Sequence, residues 1–297
     1  MENKNKQKIT PHLWFDKEAK EAAEFYVSIF PDSEIKQVST LHDTPSGDCD
    51  IVSFSICEFG FMAISAGPLF KINPSISFHV RCRSAEEVDR YSEKLSEGGK
   101  ALMPLGSYPF SERYAWIEDR FGVSWQIIYT DKEFSQKIVP AFMFTQDVSG
   151  RTKEAIEHYT KVFPESEIKS VLEYGKNEFN EKEENVMYSE FILMNEEFIA
   201  MDSGAGHNFK FNEAISFIVN CDTQEEVDYY WELSAVRDEE QCGWLKDKFG
   251  VSWQIVPSIL GEMMADEDKE KVARVTQAFL KMRKFDIAKL KEAYEKS

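Results

Sequence analysis

Two histidines, His12 and His79, stand in short segments where apolar and polar residues alternate. In the first, Thr10, His12 and Trp14 alternate with Ile9, Pro11, Leu13 and Phe15; in the second, Ser77, His79 and Arg81 alternate with Ile76, Phe78 and Val80. A β-strand sends successive side chains to opposite faces, so the imidazoles and hydroxyls leave the apolar residues on one side and gather on the other. A closing segment adds Ser124 and Gln126, set against Val123, Trp125 and Ile127. This inventory of neutral donors and acceptors suits hydrogen bonding to a small molecule. It suits a metal less well, because a divalent ion wants imidazole or anionic ligands, and His12, His79 and Gln126 leave its shell for water or substrate to complete. Trp14 falls on the polar side, where it can stack on a ligand, whereas Trp125 and Trp253 fall on the apolar side and are core.

These segments occur in two copies. Phe121-Gly-Val-Ser-Trp-Gln-Ile127 returns unchanged as Phe249-Gly-Val-Ser-Trp-Gln-Ile255. Ile29-Phe-Pro-Asp-Ser-Glu-Ile35 returns as Val162-Phe-Pro-Glu-Ser-Glu-Ile168, and Ile76-Ser-Phe78 as Ile215-Ser-Phe217. The chain is a duplication, with domains expected at 1–130 and 131–258 and a helical extension at 259–297. Aligning the copies sets Glu190 opposite Ser53, Asp202 opposite Ser65 and Gln254 opposite Gln126. The second copy therefore offers two carboxylates but no histidine at the corresponding places. It also lacks about eleven residues around Gly98–Gly106, a hairpin beside the expected pocket, by the change in repeat offset.

Each copy alternates strand and helix signals. Ala19, Ala22, Ala23, Tyr26 and Ile29 form one apolar stripe ending before Pro31. Ser84-Ala-Glu-Glu87 and Thr223-Gln-Glu-Glu226 are capping boxes that open a second helix in each copy. The order is βαβββ repeated, an α+β chain of four such modules whose mixed sheets carry helices on the apolar face and leave the polar face to a ligand. Val272, Val275, Phe279 and Met282, then Ile287, Leu290 and Tyr294, mark two further helices in the extension.

Composition sets the frame. Thirty-five basic against 53 acidic residues give a net charge of −18, which repels nucleic acid and anionic membranes at long range. Five widely spaced cysteines with no C-x-x-C pair point to neither a disulfide framework nor a zinc knuckle, so a cytoplasmic location is expected. No apolar run reaches the length of a membrane helix.

Ile9-Thr-Pro-His-Leu-Trp-Phe15, Glu21-Ala-Ala-Glu-Phe-Tyr26, Phe30-Pro-Asp-Ser33, Ile76-Ser-Phe78 and the repeated closing motif resemble the PhnB-like proteins, also titled 3-demethylubiquinone-9 3-methyltransferase-like. These form a branch of the vicinal-oxygen-chelate superfamily, with glyoxalase I and bleomycin-resistance proteins. The resemblance implies four modules forming two cups by pairing, a fold shared by lyases, isomerases, dioxygenases and non-enzymatic binders. Homodimers are common in the family. It also implies that any metal ligands would lie on the concave face, among His12, His79 and Gln126.

The resulting expectation is a small-molecule binder that needs no cofactor, with the first copy's cup as the working site. His12, Trp14, Ser65, Ser77, His79 and Gln126 would line that cup, and Glu190, Asp202 and Gln254 the second. Two alternatives stand beside it: an enzyme using a divalent metal, and an interaction protein whose cups are filled by side chains. Methyl transfer is not expected, because Gly204-Ala-Gly206 leads into another strand rather than the helix that a glycine-rich nucleotide turn requires.

Overall fold

The structure, a computed structural model, describes residues 7–44, 46–176, 182–235 and 241–296. The first module runs β1 (Ile9–Phe15), α1 (Ala19–Ile29), β2 (Glu34–Thr44), β3 (Gly47–Ile56), β4 (Phe59–Ser65). The second runs β5 (Ile76–Cys82), α2 (Ala85–Leu95), β6 (Lys100–Tyr108), β7 (Ser111–Glu118), β8 (Ser124–Tyr129). The third has β9 (Ile138–Phe144), α3 (Thr152–Val162), β10 (Glu167–Glu173), β11 (Val186–Leu193) and β12 (Glu196–Asp202). The fourth is β13 (Ile215–Cys221), α4 (Gln224–Trp231), β14 (Trp244–Lys246) and β15 (Ser252–Pro257). Helices α5 (Ser258–Met264), α6 (Lys269–Phe279) and α7 (Ile287–Glu295) follow. The local signals are answered directly: Ser84 and Thr223 accept from the amides of Glu87 and Glu226, whose carboxylates reach back to the amides of Arg83 and Asp222.

The modules pair across the copies. A seven-stranded mixed sheet has the order β14-β15-β13-β1-β4-β3-β2, and an eight-stranded one β10-β11-β12-β9-β5-β8-β7-β6. In the first sheet β1 lies antiparallel to β13, with His12 opposite Ser216; in the second β5 lies antiparallel to β9, with His79 opposite Val139. This corrects the expectation that each copy closes its own cup. The reason is that the two modules of one copy meet through their apolar faces: Phe61 of β4 packs on Phe78 of β5 at 5.0 Å, and Phe78 on Trp125 at 5.4 Å. Two sheets stacked through one core turn their other faces in opposite directions. His12 and His79 are therefore on different sheets and share no interior.

Symmetric ties hold the copies together. Asn73 Nδ2 donates to the Lys210 carbonyl at 3.0 Å and Asn212 Nδ2 to that of Lys71 at 2.8 Å, while each Oδ1 caps the amide two residues on. Within each copy, the side-chain amides of Gln7 and Gln136 clamp the β3–β4 and β11–β12 turns through the amides of Gly60 and Glu197.

Among the described residues the fourth module has two strands after its helix where the others have three. Among the described residues nothing corresponds to β6, as the shortfall around Gly98–Gly106 anticipates. The C-terminal segment covers the place: the amides of Cys242 and Gly243, just before β14, donate to the carbonyls of Met282 and Arg283 at 2.8 and 2.7 Å. Gly243, at φ +78°, is required there, because a Cβ would stand 2.4 Å from the Phe285 ring and 2.7 Å from the Ile255 carbonyl.

Candidate functional site

On the first sheet, strand pairing brings His12, Trp14, Ser216, Gln254 and Trp244 onto the face away from the core. Ser216 lies opposite His12 on β13, and Gln254 opposite Trp244 where β15 meets β14. Gln254 Nε2 donates to Ser216 Oγ at 2.9 Å. The His12 ring meets Trp244 edge-on at 5.6 Å, and Trp14 does the same to Trp244 at 6.1 Å and Phe70 at 5.0 Å. Trp14 Nε1 is satisfied by the Gly67 carbonyl at 2.7 Å, leaving its ring to pack. At the rim Lys246 pairs with Glu213 at 2.6 Å. His12 itself is buried, and its Nδ1 has no hydrogen-bond partner among the described residues. Burial drives its pKa down to about 4, so the ring is neutral at physiological pH.

The second sheet repeats part of this arrangement. Gln126 Nε2 donates to Ser77 Oγ at 2.8 Å, while its Oε1 accepts from Tyr114 Oη at 2.7 Å. His79 is buried, its Nε2 without a partner among the described residues, and burial, with Arg81 adding repulsion, lowers its pKa to about 3. The face beside it is different in kind. Val139, Ala141 and Ile199 form a buried apolar cluster against Tyr188 and Met201. Arg81 is pinned between Glu190 at 3.2 Å and Glu197 at 2.5 Å, with Tyr188 Oη also donating to Glu190.

Two of the residues expected to line the cups are spent on helix starts instead. Ser65 Oγ accepts from the Ala19 amide at the beginning of α1. Its counterpart Asp202, buried, accepts from the amides of Gly150, Thr152 and Val186 and from the Thr152 hydroxyl. Both lie at the end of a strand, opposite Phe15 and Phe144 on the core side. Glu190 does sit on an open face, but as the partner of Arg81.

The expected metal ligands are not brought together. His12 belongs to one sheet, and His79 and Gln126 to the other, where Gln126 is committed on both amide atoms. Among the described residues no group of three His, Cys, Asp or Glu side chains converges as an ion would require. This donor set does not fit a divalent site.

Two buried carboxylates escaped the sequence reading. Asp119 accepts from Tyr26 Oη, Trp125 Nε1 and the amides of Phe121 and Val123, at 2.8 to 3.0 Å. Asp247 does the same with Tyr159, Trp253, Phe249 and Val251. The signal was present: the repeated motif is preceded by Asp119-Arg in one copy and Asp247-Lys in the other. These groups anchor the strand that carries Gln126 or Gln254, and touch neither open face.

Comparisons with known proteins agree with this architecture. The family model described as 3-demethylubiquinone-9 3-methyltransferase matches twice, over residues 7–128 and 136–256. No curated protein matches the chain. A PhnB protein of Bacillus cereus is 38% identical over 42% of this chain and 100% of its own, with a TM-score of 0.39. Glyoxalase I of Zea mays is 11% identical, covering 88% of this chain and 98% of the maize protein at a TM-score of 0.54, a likeness of fold. The FosX fosfomycin resistance protein of Listeria monocytogenes is 15% identical over 39% of this chain and 88% of its own, at 0.31. Among the described residues no feature of either face supports the methyl transfer in the family's title. With both copies matched, the chain belongs to the 3-demethylubiquinone-9 3-methyltransferase (PhnB-like) family, on a glyoxalase-like fold.

Proposed function

We propose that the protein binds a small molecule on the open face of the first sheet, at a site built jointly by β1 of the first copy and β13 to β15 of the second. The observation that carries this reading is the buried, unpartnered Nδ1 of His12 beside Trp14 and Trp244. A buried polar atom without a partner costs about 1–3 kcal/mol, and a ligand that hydrogen-bonds it recovers that cost. The neutral imidazole favours an uncharged group, and the indoles favour a flat, partly apolar body. The second sheet supports the filled-cup reading instead, because Val139, Ala141 and Ile199 occupy the floor beside His79. Five free cysteines favour the cytoplasm.

The test is ligand-observed NMR with a library of uncharged planar heterocycles. Hits are expected to weaken at least tenfold, about 1.4 kcal/mol, in His12→Ala and in Trp14→Ala, and to be unchanged in His79→Ala. Hits lost only with His79→Ala, or indifferent to all three substitutions, contradict the proposal.

A further inference from the structure

Charge is unevenly distributed along the chain. Residues 269–297 hold nine Lys and Arg against four Asp and Glu, a net +5, which leaves −23 on residues 1–268. Much of this positive charge converges. Helices α6 and α7 and the turn between them border an open cleft of about 870 Å³, lined by Arg274, Lys281, Arg283, Lys284, Lys289 and Lys296 and by only two acids, Asp286 and Glu292. The acids answer part of the charge: Lys289 pairs with Asp286 and Lys296 with Glu292, each at 3.0 Å, and Lys284 reaches out to Asp228 of α4 at 2.5 Å. Among the described residues Arg274 is held by carbonyls, those of Ala293 and Tyr294, and by no carboxylate. Lys281 adds a further cation to the wall.

The cleft is also fixed in place. Met282 and Arg283, on its wall, accept the amides of Cys242 and Gly243, and Phe285 is buried beneath them. Its lining includes Ala273, Ala278, Ala293 and Met282, small or flexible apolar residues that leave room for a carbon body between the cations.

We propose that the α6–α7 cleft is a binding site for a small multivalent oxyanion, an organic phosphate or a compact polycarboxylate. Guanidinium and ammonium groups facing one another across a concave surface recognise phosphate and carboxylate oxygens by charge-assisted hydrogen bonds. Size selects against the larger anions. An extended polyanion or an anionic bilayer must also approach the −23 body of the molecule and is repelled by it, whereas an anion contained in the cleft meets the local excess of positive charge. The site is separate from the open face that His12 occupies, and it stands or falls independently of the reading given to that face.

Calorimetric titration of the full chain with pyrophosphate and, separately, with citrate tests this, at low ionic strength and with matched sodium chloride as the blank. The expected result is saturable one-to-one binding of at least one probe, weakened tenfold or more by Lys281→Ala/Lys289→Ala. The remote pair Lys20→Ala/Lys132→Ala, which removes the same charge, is expected to leave it within twofold. Tighter binding of pyrophosphate would assign the phosphate class and tighter binding of citrate the carboxylate class. Absence of saturable binding by both probes overturns the proposal, as does equal weakening in the two double variants. Sedimentation of the protein with vesicles containing phosphatidylserine, without binding of either probe, would also overturn it in favour of a membrane surface.

Discussion

Asp119→Asn and Asp247→Asn are each expected to lower the unfolding free energy by about 3 kcal/mol at pH 7, among the largest effects of any single isosteric change in the chain. Each carboxylate accepts four hydrogen bonds inside the core, two on each oxygen. An amide keeps one acceptor and turns its NH2 toward the other pair of donors, leaving two buried donors facing a third. Hydrogen bonds to a charged acceptor contribute roughly 1.5–3 kcal/mol each, and stranded buried donors add to the loss. Burial raises the Asp119 pKa to about 6 against the opposing pull of its donors, so the group is ionised at pH 7. Urea unfolding followed by circular dichroism measures the change. Losses below 1 kcal/mol in both variants would mean that these carboxylates do not organise the closing strands.

His79→Gln is expected to leave stability at pH 7 within about 1 kcal/mol of the parent and to make the protein more stable than the parent by about 3 kcal/mol at pH 4. The folded-state pKa of His79 is lowered to about 3, chiefly by burial, against the ordinary 6.5 recovered on unfolding. The unfolded chain therefore binds more protons between these values, and stability falls as pH drops from 6.5 toward 3. Each unit in that window amounts to about 1.4 kcal/mol. His12, lowered to about 4, behaves alike over a narrower window, so His12→Gln is expected to show the same sign. Glu196 acts in the opposite direction. Burial raises its pKa to about 8, so it adds stability as pH falls from 8 toward 4.5. Only the difference between parent and variant isolates the histidine. Urea unfolding at half-unit steps from pH 7 to pH 4 gives that difference, and a flat one would show that His79 is charged in the folded protein.

Local patterns read well because they are set by neighbours a few residues apart. Alternation placed Ile9, Leu13, Ile76, Phe78, Val80 and Trp125 in the core, and all are buried. The capping boxes at Ser84 and Thr223 form as their spacing implies. Periodicity, however, reports which face a side chain takes and says nothing about which strand lies beside it. His12 and His79 have matching patterns yet project from sheets stacked back to back, because Phe61 and Phe78 meet between them. Trp244 was invisible for the same reason: it lines the candidate site only because β15 joins β14 to the edge of the sheet that holds β13 and β1. Ser65 and Asp202 alternate toward strand ends where an orphan helix amide claims them, a demand that no strand pattern records. The basic excess after residue 268 was hidden inside a net charge of −18.

The composite site exists only if β1 joins β13 of the opposite copy, and a disulfide trap measures that pairing directly. Thr10 and Ile218 are register partners across the two strands, within the reach a disulfide needs. His79 holds the place of Ile218 in the first copy, at the repeat offset of 139 residues. Mild oxidation followed by peptide mapping of the monomer is predicted to find the 10–218 bridge in Thr10→Cys/Ile218→Cys and no 10–79 bridge in Thr10→Cys/His79→Cys. A 10–79 bridge with no 10–218 bridge would show that each copy closes on itself, and the composite site of His12, Trp14 and Trp244 would not exist.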